Sequence, residues 1–160
     1  MTLFLKNLLF TLVVPGSVAV FAPLLLTRVQ PPVAGWGRLL SVPLFAIALA
    51  LYLWSVWSFA SRGKGTPLPI DAPKRLVLTG PYLHIRNPMY VAVMSALLGW
   101  LVAYRTPALL LYAFGAGAAF AGFVIWYEEP HLKRTFGGEY DRYRNTVPRW
   151  LPRRRRTPGT

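Results

Sequence analysis

The chain has 160 residues, of which 54% are hydrophobic, 14% aromatic and 14% charged; soluble chains carry about a quarter charged residues, so an ordinary soluble domain is excluded. Eighteen Lys and Arg oppose five Asp and Glu, a formal net charge of +13, and a mean hydropathy of +0.40 directs that basicity towards lipid rather than nucleic acid. The lack of cysteine excludes disulfides, thiol catalysis and cysteine-ligated metals, and two histidines with five acids make a protein metal cage improbable.

Four charge-free runs organise the chain: 21 residues between Lys6 and Arg28, 23 between Arg38 and Arg62, 18 between Arg86 and Arg105, and 22 between Arg105 and Glu128. A helix needs about 20 apolar residues to cross the hydrocarbon core, and segments in lipid must pair their own backbone groups. The runs therefore predict an all-α integral membrane protein with four transmembrane helices, at about 8–27, 39–60, 88–104 and 107–127. The whole chain, 1–160, reads as one membrane domain, with two N-terminal membrane helices in 1–62.

The first run continues past the small-residue site Ser17-Val18-Ala19 to Leu26, so it reads as a retained helix rather than a cleaved signal. Pro15, Gly16 and Pro23 within it predict a kink. Pro88 at the mouth of the third run suits a first helical turn. Only Tyr104-Arg105-Thr106-Pro107 joins the third and fourth runs, which predicts an antiparallel helical hairpin. Small residues four apart on the fourth, Gly115/Ala119, Gly117/Ala121 and Ala118/Gly122, predict close helix packing or a cleft for a flat ligand.

Beyond the hairpin, Tyr140, Tyr143 and Val147 recur at helical spacing and predict a cytoplasmic amphipathic helix. Residues 153–160 form a basic tail, in which Arg153 to Arg156 suit anionic membrane lipids. With four spans, fifteen positive residues share one side and Arg28, Arg38 and Arg105 the other. Positive residues mark the cytoplasm, so both termini are expected inside the plasma (inner) membrane.

Two polar segments flank the hairpin, and its antiparallel path brings Arg86-Asn87-Pro88 level with Glu128-Glu129. Carboxylates at the end of an apolar helix oppose its dipole by about 0.3–1 kcal/mol each. Arg86, or Lys133 at i+4 from Glu129, could offset them, as could a cationic ligand. His84 and His131 read as loop and surface residues. The chain has no GxGxxG, GxxxxGK[ST], HExxH or GxSxG motif, so it signals no phosphate loop, zinc protease or hydrolase elbow.

These residues resemble the isoprenylcysteine carboxyl methyltransferase family. Gly80-Pro81-Tyr82, Arg86-Asn87-Pro88-Met89-Tyr90, the hairpin and Glu128-Glu129 carry the likeness. Phe136-Gly137, Glu139-Tyr140, Tyr143, Val147-Pro148 and Leu151-Pro152 continue it. It spans residues 76–152, a methyltransferase-like half, and phospholipid N-methyltransferases share a looser version. The resemblance implies S-adenosylmethionine as cofactor and a lipophilic or lipidated acceptor from the bilayer. It further implies that Gly80, Pro81, Tyr82, Asn87, Pro88 and Tyr90 shape the cofactor pocket. Glu128 and Glu129 would hold the cofactor's ribose or ammonium, Tyr140 would close a lid, and Arg86 would orient the acceptor or the cofactor's carboxylate. Arg86 and Glu129 are thereby the catalytic candidates. The family often has His where this chain has Asn87, and Gly where it has Ala92; Asn87 cannot titrate, so no proton transfer is placed there.

Methyl transfer is an in-line displacement governed by alignment. A carboxylate acceptor is ionised at neutral pH and needs no base, and Arg86, Arg144 and Arg149 crowd the site. Carboxyl O-methylation is the leading expectation. Phospholipid N-methylation is the alternative, followed by a non-catalytic scaffold or lipid-binding protein and by a membrane reductase.

Overall fold

A computed structural model describes residues 9, 11–28, 30–33, 35–63 and 76–152. Lys6, the positive residues of the 64–75 stretch and the basic tail at 153–160 lie outside the described residues. Every regular element among those described is helical.

Helix α1 runs Thr11–Leu26 and contains a π turn at Ser17–Phe21. Ser17 adds hydrogen bonds to the carbonyls of Val13 and Val14, and Pro23 supplies no N–H, so the expected irregularity takes the form of a widened turn. Helix α2, Trp36–Ser58, accommodates Pro43 and ends in a second π turn, Phe59–Gly63. Helices α3, Pro88–Tyr104, and α4, Pro107–Phe123, form the hairpin. Its turn is built by Arg105 in the left-handed region at φ 51° and by Thr106, whose hydroxyl accepts from Leu109 N at 3.2 Å. Pro107 at the first position completes the start signal.

A third π turn, Val124–Glu128, leads into α5, Glu129–Phe136, and Gly137 separates α5 from α6, Gly138–Thr146. The spacing of Tyr140, Tyr143 and Val147 delivers the expected amphipathic face. These three side chains are buried, packed by Leu76, Leu78, Leu132 and Phe136.

Two stretches are long and apolar enough to cross a membrane, Trp36–Ser61 and Pro107–Phe136; Thr11–Leu26 and Pro88–Tyr104 are apolar but shorter. In each long stretch 17% of the most apolar window is buried, so most of it faces outward, unlike the core helix of a soluble protein. Leu111, Phe114 and Trp126 stand 72%, 77% and 82% exposed.

The small residues of the fourth run pack closely in part. On α4, Gly117 meets Met94 of α3, but nothing lies within 4 Å of a Cβ built on Gly115, and Ala118 and Ala119 are exposed. The extensive interface is α2 on α3. There a Cβ on Gly99 would stand 3.0 Å from the Phe45 ring, which packs edge-on to Trp100 at 5.6 Å. One glycine opposite one ring leaves no periodic trace in a sequence.

Candidate active site

The segment before the hairpin is set by Gly80, which sits at φ +60° at the head of the 3₁₀ turn Gly80–Leu83. A Cβ there would lie 2.3 Å from Ser58 Oγ and 2.8 Å from Trp54 Nε1. Position 80 is therefore a close approach of the turn to α2, and glycine is required for both conformation and space. Pro81 and Tyr82 follow, both buried, and the Tyr82 ring packs on Phe59 at 5.3 Å.

The segment after α6 closes over this turn. Arg86 N donates to Pro148 O at 2.9 Å, Asn87 Nδ2 to Arg149 O at 3.2 Å, and Tyr143 OH to Tyr82 O at 2.8 Å. Asn87 occupies the N-cap of α3 without capping it, because its amide is used across the chain.

The two adjacent acids have different environments. Glu129 accepts from Arg149 twice, Nε to Oε1 at 2.7 Å and Nη2 to Oε2 at 2.9 Å, and from Arg86 Nη1 at 2.9 Å. Arg86 Nη1 also lies 3.3 Å from Tyr140 OH. Of the two residues expected to offset the acids, Arg86 does so. Lys133 instead reaches Asp141 at 3.4 Å, since both Glu129 oxygens are already engaged. Glu128 accepts from Tyr90 OH at 2.9 Å and has no ion pair among the described residues. In a π turn successive side chains are separated by less than the about 100° of an α-helix, so both acids can share the inward side.

Burial, reinforced by Glu129 and opposed by Arg86, holds the Tyr140 phenol above its usual range. Burial does the same to Tyr143 and, with Glu128 adding to it, to Tyr82. These phenols stay protonated. The hydrogen bond to Glu129 raises Arg149 further, which fixes its charge.

A cavity of about 390 Å³ opens between these segments and the helices, within the range of about 300–1,000 Å³ usual for small-molecule sites. Its lining combines polar side chains, Arg86, Asn87, Tyr90, Glu128 and His131, with apolar and aromatic ones that include Val14, Val18, Tyr52, Val93, Phe120 and Phe123. Of the residues singled out from sequence, Tyr82, Arg86, Asn87, Pro88, Tyr90 and Glu128 line it. Gly80, Pro81, Glu129 and Tyr140 are not among the lining residues, and Tyr140 is 2% exposed. His131 stacks on Tyr127 at 6.0 Å and joins the cavity, contrary to its surface reading. His84 lines a separate groove of about 960 Å³ along α6, with Arg142 and Thr146.

Tyr52, Phe59, Val14 and Val18 were not foreseen, because apolar and aromatic residues inside a membrane run carry no signal beyond packing. Arg149 was foreseen as one of several nearby arginines; its pairing was not.

The phospholipid methyltransferase family matches residues 36–139. The chain belongs to this family. The phospholipid methyltransferases are membrane methyltransferases related to the isoprenylcysteine enzymes whose motifs the chain resembles. The matched stretch takes in α2, which the motifs left out, and ends before Tyr140. No curated protein and no solved structure matches the chain.

The family generally uses S-adenosylmethionine, a molecule with a sulfonium, an ammonium and a carboxylate. The residues present fit it. Arg86 Nε is buried without a hydrogen-bond partner and belongs to a side chain that lines the cavity. Glu128, on the same cavity, lacks a cationic partner. A guanidinium N–H without a partner and a carboxylate without a counter-charge are the complements of an amino-acid zwitterion.

Proposed function

We propose that the chain is an S-adenosylmethionine-dependent methyltransferase acting on a lipophilic acceptor that enters from the bilayer. The observation that carries this is one cavity whose lining combines Arg86 and Glu128 with apolar and aromatic side chains. The fold would be a four-span unit in the plasma membrane with both termini cytoplasmic, supported by the asymmetry of positive charge and by the outward apolar faces.

Bound at the polar side chains of the cavity, S-adenosylmethionine would supply an electrophilic methyl group on a positively charged sulfur. Arg86 would bind its carboxylate through Nε, and Glu128, held by Tyr90, would face its positive charge. Glu129 works one layer back, keeping Arg86 and Arg149 in place. Phe120, Phe123 and Val93 exclude water and receive the acceptor's chain, so its reactive head meets the methyl in line. Alignment of that head with the transferable methyl is what these residues would contribute to the rate.

The geometry favours an amine head, as in phospholipid N-methylation, more than the sequence does. Two of the three arginines that argued for an anionic acceptor are engaged by Glu129, and Arg144 lies 3.7 Å from Asp141. An amine acceptor must also lose a proton, and Glu128 is placed to receive it. Carboxyl O-methylation remains the second reading, supported by the likeness of residues 76–152 to the isoprenylcysteine enzymes.

Labelled S-adenosylmethionine binding to the purified protein in detergent tests the site. Glu128→Ala should abolish saturable binding without unfolding the protein; unchanged binding would overturn the assignment. Prenylcysteine and phosphatidylethanolamine supplied in parallel then separate the acceptor classes.

A further inference from the structure

Helix α1 lies outside the family-matched residues, yet it supplies one wall of the cavity through Val14, Pro15 and Val18. Its placement follows from an account of its carbonyls. Ala22 N–H donates to Ser17 O, the i to i+5 pattern of a π turn. The next such bond, to Val18 O, would need an N–H at position 23, and so would the α-helical bond to Ala19 O. Position 23 is proline, so Val18 O loses its π-type donor and Ala19 O its α-helical donor.

Side chains of the hairpin fill both places. Tyr112 OH of α4 donates to Val18 O at 3.0 Å, and Trp100 Nε1 of α3 donates to Ala19 O at 2.8 Å. Tyr52 OH of α2 donates to Thr11 Oγ1 at 2.8 Å. The helix is thus fixed in rotation and height against all three neighbours, and its Val14, Pro15 and Val18 face the cavity as an uncharged wall. Such a wall can contribute nothing electrostatic to the reacting atoms; it can set what fits.

We infer that α1 is the specificity element of this methyltransferase, with Val14 and Val18 gauging the bulk of the acceptor's apolar chain. This rests on the functional reading above. The test compares methylation of geranyl-, farnesyl- and geranylgeranyl-cysteine, and of short- and long-chain phosphatidylethanolamine, by the full chain and two variants. Val18→Phe should reduce the rate on the bulkiest acceptor relative to the smallest by about tenfold, the usual effect of a small change in apolar pocket volume. Val18→Ala should shift the preference the other way, and labelled cofactor should bind all three proteins equally. A uniform change across acceptors, or an unchanged profile, overturns the inference.

A binding measurement decides the matter even if no methyl group is transferred, in which case the functional reading fails on its own. A benzophenone side chain replacing Val14 should capture radiolabelled farnesylcysteine saturably. The same group replacing Val13, 59% exposed and absent from the cavity wall, should capture it without saturation. Non-saturable capture at both positions overturns the inference.

Discussion

Glu129 accepts three hydrogen bonds from two arginines that come from opposite sides of the hairpin. Its carboxylate side chain is 13% exposed, as is that of Arg86 at 12%, whereas Arg149 is 34% exposed. The consequences of breaking the cluster are therefore unequal. Arg149→Ala leaves Glu129 its bond to Arg86 and removes a partner that water can partly replace, at a cost of about 1 kcal/mol. Glu129→Gln leaves a poorly hydrated guanidinium without its counter-charge, at about 3 kcal/mol. Thermal unfolding in detergent should show that order, and Arg149→Ala being the more harmful would contradict this account. At this scale the scarcity of acids made Glu128 and Glu129 legible in the sequence. What separates them, three arginine bonds against one tyrosine bond, depends on a turn geometry that one residue of spacing does not encode.

Among the elements, the close approach at Gly80 joins the segment before the hairpin to α2. Gly80→Ala meets three obstacles, a left-handed backbone, the Ser58 hydroxyl and the Trp54 indole, and should destabilise the protein by about 1–3 kcal/mol. Ser58→Ala removes one obstacle, so the double variant should recover part of the loss; no recovery in the unfolding midpoint would show that the backbone and the Trp54 ring, not the hydroxyl, are responsible. The hairpin itself was readable because a four-residue connection between apolar runs admits one arrangement, and α6 because three buried residues recur at helical spacing. The dominance of α2 on α3 was not readable. Motif residues cluster after position 76, and the α2 contribution consists of rings and hydroxyls that look like ordinary membrane-helix content.

For the whole molecule, the lack of cysteine makes topology directly measurable. Single-cysteine variants Gln30→Cys and Glu139→Cys occupy exposed positions that the four-span reading puts on opposite sides. A membrane-impermeant thiol reagent should label position 30 in intact cells and position 139 after permeabilisation. Labelling of both in intact cells, or of neither until permeabilisation, would exclude an odd number of crossings between them. Composition predicted the membrane class before any residue was placed, since half the usual charge cannot cover a soluble surface. Orientation rests on Lys and Arg counted along the chain, several of which lie outside the described residues.

The cluster around Glu129 also implies an order of assembly. Arg86 precedes its acid by 43 residues, and Arg149 follows that acid by 20. During synthesis Arg86 reaches the membrane surface long before either partner exists, and must remain in water until the hairpin has returned. Only then can the carboxylate draw it inward, and the last strap of chain, carrying Arg149, seals the arrangement. A truncated or stalled chain would thus display a mobile, hydrated arginine where the finished one holds it still. The ion cluster distinguishes a completed protein from an unfinished one.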